Sequence, residues 1–324
     1  MTIRFEDPIL VIGGGSIGER HIQNLGKLGY HNIIVLRTRA LPFRNVDPDA
    51  VKTVTDWEAA LVHQPKAAFI CTPTALHISQ TIRCVENGIH VLVEKPLSHN
   101  GEGISDLESA FQGTQPFIQV GYMMRYHPHA QQLKTWIQEE TWGRLVSFST
   151  WWGEYLPNWH PWEDYRESYA ARKELGGGAA LTLSHDLDLA LWMVNAPLRT
   201  HHLIKNYRSD LEVDVDSAAD FLLGFENGIS GHVHLNFFQQ VPKREYRFEF
   251  TGASVCFDFF RHRMEVVQPH GNQVFELNGF DRNDLFISQT KDFFHRIDLF
   301  TPEESLRNIH DAARIVELCD PFHS

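Results

Sequence analysis

The 324-residue sequence has no apolar tract long enough to cross a bilayer as a helix, no Cys-x-x-Cys pair, no internal repeat and no low-complexity linker. A spanning helix needs about 20 predominantly apolar residues, so a helical membrane protein is excluded. Positive charge is also scarce: 29 Lys and Arg stand against 41 Asp and Glu, a formal net charge of −12. Affinity for a polyanion comes largely from clustered cations that neutralise phosphates, so neither nucleic acid nor a membrane surface is an expected partner. Four scattered cysteines, Cys71, Cys84, Cys256 and Cys319, read as buried thiols of a reducing compartment rather than a disulfide or zinc framework. The start, Met1 to Pro8, lacks the basic opening and cleavage site of a signal peptide, and the expectation is a cytoplasmic protein. The 19 histidines define no site by their number alone.

What is present is an ordinary globular composition, 43% hydrophobic and 22% charged, in a chain long enough for two domains. The apolar run Ile9-Leu10-Val11-Ile12 leads into Gly13-Gly14-Gly15-Ser16-Ile17-Gly18 and then a helical pattern, with a second buried strand at Asn32 to Leu36. That is a βαβ unit. Apolar runs at Ala67 to Cys71 and His90 to Val93 alternate with helical stretches, including Thr74 to Asn87, and predict a doubly wound parallel sheet over residues 1–125. Beyond it, strands at Leu145 to Trp152, Ala218 to Phe225, Ile229 to Phe237, Tyr246 to Phe250 and Val255 to Phe259 predict a mostly antiparallel open sheet. Asn227-Gly228 marks one of its hairpin turns. Helices are expected over Asp284 to Ile297 and from the Thr301 cap to Leu318. The fold class is α/β: an N-terminal Rossmann domain, then an α+β domain over 126–324 whose C-terminal helix packs back on the first.

Gly13-x-Gly15-x-x-Gly18 between a strand and a helix is the arrangement that receives a dinucleotide. Gly13 turns the chain, Gly15 admits the pyrophosphate, Gly18 lets the helix pack closely, and Ser16 and Ile17 open the helix whose N-terminus faces the phosphates. After the second strand stand Arg37, Thr38 and Arg39, with no acid to accept the ribose 2′-hydroxyls. Two guanidinium groups favour NADP, with NAD as the alternative.

Four further segments carry a resemblance: Ile70-Cys71-Thr72-Pro73-Thr74-Ala75-Leu76-His77, Val93-Glu94-Lys95-Pro96, Gly121 to Pro128, and Gly176-Gly177-Gly178 followed by Ser184-His185-Asp186-Leu187-Asp188. With the glycine turn, and in this order, they resemble the Gfo/Idh/MocA oxidoreductases over essentially the whole chain. The resemblance implies an NAD(P)-dependent dehydrogenase or reductase acting on a sugar, cyclitol or nucleotide-linked sugar. It also implies a homodimer or homotetramer formed through the C-terminal sheet. A dinucleotide-binding regulator without turnover is the other reading.

Hydride leaves a carbinol carbon only as the hydroxyl proton is removed, so a base and a cation are required. Lys95, at a strand end and held extended by Pro96, is the candidate cation, and His185 the candidate proton-transferring group. Thr72, Pro73, His77, Glu94 and Lys95 itself fall among the implied cofactor positions, Glu94 orienting Lys95 or a ribose hydroxyl. The family's Asp three or four residues before the histidine is replaced here by Leu181 and Thr182, which leaves Asp186 or Asp188 to substitute. Arg125, Thr182, Asp188 and the aromatic segment with Tyr155, Trp159, His160 and Arg166 complete the candidate substrate site. His232 and His234 share a strand face without an evident third ligand, and no metal is expected.

Overall fold

The computed structural model describes residues 3–38 and 42–320. Its elements begin β1 (Ile9–Ile12), α1 (Ser16–Lys27), β2 (Ile33–Leu36), β3 (Lys52–Val54), α2 (Trp57–Leu61), β4 (Ala67–Ile70), α3 (His77–Glu86), β5 (His90–Val93), α4 (Ile104–Thr114) and β6 (Ile118–Val120). They continue with α5 (Pro128–Gln138), β7 (Leu145–Tyr155), α6 (Ala179–Thr182), α7 (His185–Val194), β8 (Leu198–Asn206), β9 (Ala218–Phe225) and β10 (Ser230–Asn236). β11 (Phe238–Phe250), β12 (Ser254–Asp258), β13 (Arg263–Gln268), β14 (Gly271–Glu276), α8 (Asn283–Ile297) and α9 (Pro302–Leu318) end the described chain. The chain divides into two compact units. The first holds the described residues up to Gly121 together with Asn283–Arg314, and the second Tyr122–Arg282 with the described residues from Ile315.

The first unit is built on a six-stranded sheet of order β3-β2-β1-β4-β5-β6, every pair parallel. Its central strands are short apolar runs buried on both faces, which is why they appear in the sequence as unbroken runs instead of alternations. Residues 283–314 belong to this unit because the α8 face carrying Phe293, Phe294 and Ile297 completes the same core as Phe69, Leu25 and Val11. Phe293 meets Phe69 edge-on at 5.6 Å and stacks on Phe117 at 5.8 Å. Aromatic pairs of this kind add about 1 kcal/mol each to the burial itself.

The second unit has an eight-stranded sheet of order β14-β13-β12-β11-β7-β10-β9-β8. All its pairings are antiparallel except β7 with β10, as a mostly antiparallel sheet requires. Period-2 alternation turns Phe148, Thr150 and Trp152 of β7, and Arg244, Tyr246, Phe248 and Phe250 of β11, to the buried face. Asn227 and Gly228 join β9 to β10, with Gly228 at φ +86°. β3, β6, β8, β13 and β14 are not expected from the sequence: β3 and β6 are only three residues long, β8 and β14 are largely polar and half or fully exposed, and β13 turns just Met264 and Val266 inward.

His127 lies in this second core among the rings of Phe257, Phe259 and Phe280, at 4.6, 5.6 and 4.8 Å, and is 0% exposed. Its Nδ1 accepts the His129 backbone N–H at the start of α5. Burial first, then the charges of His129, Arg244 and His262, push its imidazole down to about 3. A folded value below the unfolded one means the histidine's contribution is complete above pH ~6.5 and is lost as the pH falls from there. At about 1.4 kcal/mol per pH unit, the loss at pH 5 is about 2 kcal/mol from His127. The thermal midpoint should therefore fall by about 5 °C between pH 7 and pH 5, and His127→Asn should flatten that slope. An unchanged midpoint over this range would contradict the assignment.

Candidate functional site

In the first unit the glycine turn joins the carboxyl end of β1 to α1. Gly13 has φ +102°, and a Cβ there would lie 2.7 Å from the Cys71 carbonyl oxygen at the end of β4. A Cβ on Gly18 would lie 2.1 Å from the Gly13 carbonyl oxygen. Gly15 is the N-cap of α1, with no side chain capping the first turn and no atom within 4 Å of where its Cβ would be. Uncapped amide groups at a helix N-terminus beside open space suit a pyrophosphate. Glu19, the one acid in that turn, is directed away: its carboxylate accepts the backbone N–H groups of Arg44 and Asn45 at 2.6 to 3.1 Å. Ser16 is exposed and Ile17 half-buried at the helix start.

Arg37 runs alongside the turn, its Cδ 3.1 Å from the position of a Gly14 Cβ, and its guanidinium lies 4.0 Å from the centre of the Phe43 ring. Thr38 is exposed beyond it, and Arg39 lies outside the described residues.

At the ends of β4 and β5, the Thr72 hydroxyl donates to Gln80 Oε1 at 2.7 Å and Pro73 is half-buried. His77, placed by sequence among the cofactor positions, has a buried ring that braces the two loops: Nδ1 is 2.8 Å from the Pro96 carbonyl and Nε2 2.9 Å from that of Thr72. Burial lowers its pKa in spite of both carbonyls and the nearby Glu94. Glu94 is itself buried and pairs through Oε1 with His21 Nε2 at 2.8 Å. Burial would raise this carboxyl, but the His21 hydrogen bond and the charges of His21 and Lys95 outweigh it and hold Glu94 below its ordinary value. Lys95 is half-buried, with its backbone N–H toward Glu94 Oε2 at 3.4 Å, and the Lys95–Pro96 bond is cis. Gly13–Gly18, Thr72–His77 and Glu94–Lys95 thus gather at the carboxyl ends of β1, β4 and β5, where the strand order reverses and ligands enter doubly wound sheets.

In the second unit His185 is the first residue of α7 and is buried, its ring stacked with Trp152 at 6.2 Å and edge-on to Tyr122 at 6.1 Å. Thr182 ends α6 and is buried. Arg125 and Asp188, both expected to meet substrate, are joined to each other by two hydrogen bonds of 2.9 and 2.5 Å. Asp186 accepts from Arg244 and Tyr246. Both acids considered as substitutes for the missing Asp therefore have cationic partners.

The aromatic segment divides. Tyr155 ends β7 half-buried, Trp159 packs on Phe237 at 5.5 Å, and His160 packs on Trp162 at 5.2 Å beside Glu163. The exposed Arg166 is paired with Asp164 and Glu212. His232 and His234 both bond to one Asp220 oxygen, at 2.9 and 2.7 Å. No group of three or more His, Cys, Asp or Glu suited to hold a metal ion occurs among the described residues.

Sequence reasoning missed His21, Glu19 and Arg244. Helical spacing puts Gly18 and His21 on one face of α1, but nothing local names Glu94 as a partner. Arg244 was open to detection, because the alternation that turns Tyr246 and Phe248 inward also turns Arg244 inward.

Residues 8–122 match a model described as an oxidoreductase family with NAD-binding Rossmann fold, and residues 130–255 match the GFO/IDH/MocA C-terminal domain. Among curated proteins, the uncharacterized oxidoreductase YrbE of Bacillus subtilis is 27% identical over 67% of this chain and 63% of its own length, just under two thirds. Levoglucosan dehydrogenase of Pseudarthrobacter phenanthrenivorans is 26% identical over 78% of this chain and 73% of its own. A solved levoglucosan dehydrogenase in complex with NADH shares the fold, with a TM-score of 0.82 at 19% identity, covering 98% of this chain and 95% of that one. In addition, no helix among the described residues is long and apolar enough to cross a membrane.

Proposed function

Because this chain belongs to the GFO/IDH/MocA oxidoreductase family with its NAD-binding Rossmann fold, we propose that it transfers hydride between a nicotinamide dinucleotide and a secondary alcohol or ketone of a sugar, cyclitol or nucleotide-linked sugar. The observation that carries this is the half-buried Lys95 beside the buried Glu94, gathered with the glycine turn at the carboxyl ends of adjacent parallel strands. Likeness to a levoglucosan dehydrogenase supports the sugar-like substrate.

The bound nicotinamide supplies the hydride chemistry. The chain supplies the rest. Lys95 donates a hydrogen bond to the reacting oxygen and stabilises the negative charge that develops there, while His185 takes the hydroxyl proton or returns it in the reverse direction. Glu94, kept ionised first by the His21 hydrogen bond, sets a carboxylate next to Lys95. Gly13, Gly15, Ser16, Ile17 and Gly18 receive the pyrophosphate, with Thr72 and Pro73 beside them. His77 acts on that pocket through its two loops.

Arg37 against Gly14 supports NADP as the preferred form, since a guanidinium there suits a 2′-phosphate. Residues 1–125 are assigned the dinucleotide. Residues 126–324, with Arg125 at the boundary, are assigned the substrate, through Arg125, Tyr155, Trp159, His160, Arg166, Thr182, His185 and Asp188, and their sheet the contact of a homodimer or homotetramer. The exposed Trp151, Ile204 and Leu222 on its strands support that contact.

The test offers free sugars, cyclitols and nucleotide-linked sugars with NAD+ and NADP+, and follows reduced nicotinamide at about 340 nm. Turnover of at least one polyol, faster with NADP+, is expected. Tight cofactor binding with no absorbance change across the panel would instead favour a regulator, and no binding of either cofactor would overturn the proposal outright.

A further inference from the structure

One guanidinium deep in the second unit takes no part in the chemistry above. Arg244 on β11 is 1% exposed, and no larger side chain is fully buried among the described residues. Its Nε and Nη2 donate to Asp186 Oδ1 at 3.0 and 2.5 Å, and the Tyr246 hydroxyl donates to the same oxygen at 2.6 Å. Its flat face lies 3.7 Å from the centre of the Trp152 ring, and Trp152 in turn stacks with His185 at an interplanar angle of 29°. Asp186 directly follows His185 at the start of α7. Two contacts of Arg244 therefore lead toward His185: one to the carboxylate of the next residue of α7, the other to the indole stacked on its ring.

Burial works against the charge of Arg244, and Asp186 and Tyr246 outweigh it, so the guanidinium stays charged. A buried ion pair of this kind contributes little net stability compared with an apolar replacement. Holding one geometry and one local charge is a use better matched to its position.

We propose that Arg244 is a positioning residue for His185: through Asp186 and Trp152 it fixes the orientation of the imidazole and cancels the carboxylate charge beside it. The proposal rests on His185 as the proton-transferring group. Other groups around this helix are balanced separately. Asp188 is paired with Arg125, the Tyr122 ring lies edge-on to His185 at 6.1 Å, and Glu154 of β7 accepts the Trp152 indole N–H. At the far end of α7, Lys134 of α5 donates to the carbonyls of Trp192 and Met193, and burial pulls its ammonium down to about 8. β10 presents the apolar Val233 and Leu235 to the buried side. Removing one member of the Arg244–Asp186 pair thus changes the charge near His185 by one unit.

The experiment is an NMR titration of the His185 imidazole in the whole chain, with the pH profile of turnover measured alongside. Asp186→Asn removes a negative charge next to His185 and should lower its midpoint by about one pH unit; Arg244→Met removes a positive charge and should raise it by about as much. The double variant should return the midpoint to near its wild-type position. Arg244→Lys should restore the midpoint but not kcat, which falls about tenfold without the guanidinium fork, while KM for the cofactor stays unchanged. Single variants that shift in the same direction, or an unmoved midpoint in Asp186→Asn, would overturn the proposal. If Arg244→Met does not fold, the isosteric Asp186→Asn decides alone. The titration needs no turnover, so failure of the His185 assignment shows separately, as His185→Gln enzyme working at the wild-type rate.

Discussion

Lys95→Ala is expected to lower kcat about a thousandfold while dinucleotide affinity stays within a few-fold of wild type. Removing one donor aimed at a developing oxyanion costs about 3 to 4 kcal/mol of transition-state stabilisation, far more than the same contact contributes to ground-state binding. The local fold should survive. Glu94 keeps its buried hydrogen bond to His21, and His77 still braces the Thr72 and Pro96 carbonyls without help from the lysine side chain. Steady-state rates with the best polyol from the panel, together with cofactor titration by fluorescence quenching, separate the two effects. A variant that turns over at the wild-type rate would remove Lys95 from the mechanism.

Gly18→Ala should abolish measurable dinucleotide binding, weakening it at least about a hundredfold, and destabilise the first unit by about 1 to 3 kcal/mol. The new Cβ would lie 2.1 Å from the Gly13 carbonyl oxygen, which is backbone and cannot rotate aside. Relief requires α1 to move off the turn that aligns its N-terminus, so stability and binding fall together. Gly15→Ala supplies the contrast. Its Cβ meets nothing within 4 Å and its φ is −80°, so folding should be unaffected while the methyl occupies the opening that a pyrophosphate needs. Thermal unfolding with and without cofactor reads both variants. Normal cofactor binding by Gly18→Ala would refute the packing argument.

Much of this was legible in the chain because it depends on neighbours in sequence. The buried run Ile9 to Ile12, the glycine spacing and the amphipathic α1 each express a local preference, and together they specify a strand, turn and helix without further information. The Asn227-Gly228 hairpin and the Thr301 start of the last helix are local in the same way. The candidate chemistry was visible as types and positions: a lysine at a strand end, a histidine opening a helix.

Partners were a different matter. Arg125 and Asp188 both read as substrate contacts, yet they bond each other across 63 residues. Glu94 read as a partner of Lys95 or of a ribose, and its nearest bond is to His21, 73 residues away. Asp186 read as a substitute for a missing acid, and Arg244, 58 residues on, occupies it. A single side chain carries charge and hydrogen-bonding capacity in its covalent structure, so its chemical type can be read directly. Which opposite charge satisfies it depends on strand order and on which helix covers which face, and those are consequences of burying the whole core at once. The sequence alone therefore determined the parallel sheet, the dinucleotide turn and the kinds of group available for catalysis. Only the tertiary structure decided which of those groups are already paired, because a buried charge takes its partner from whatever the fold places beside it.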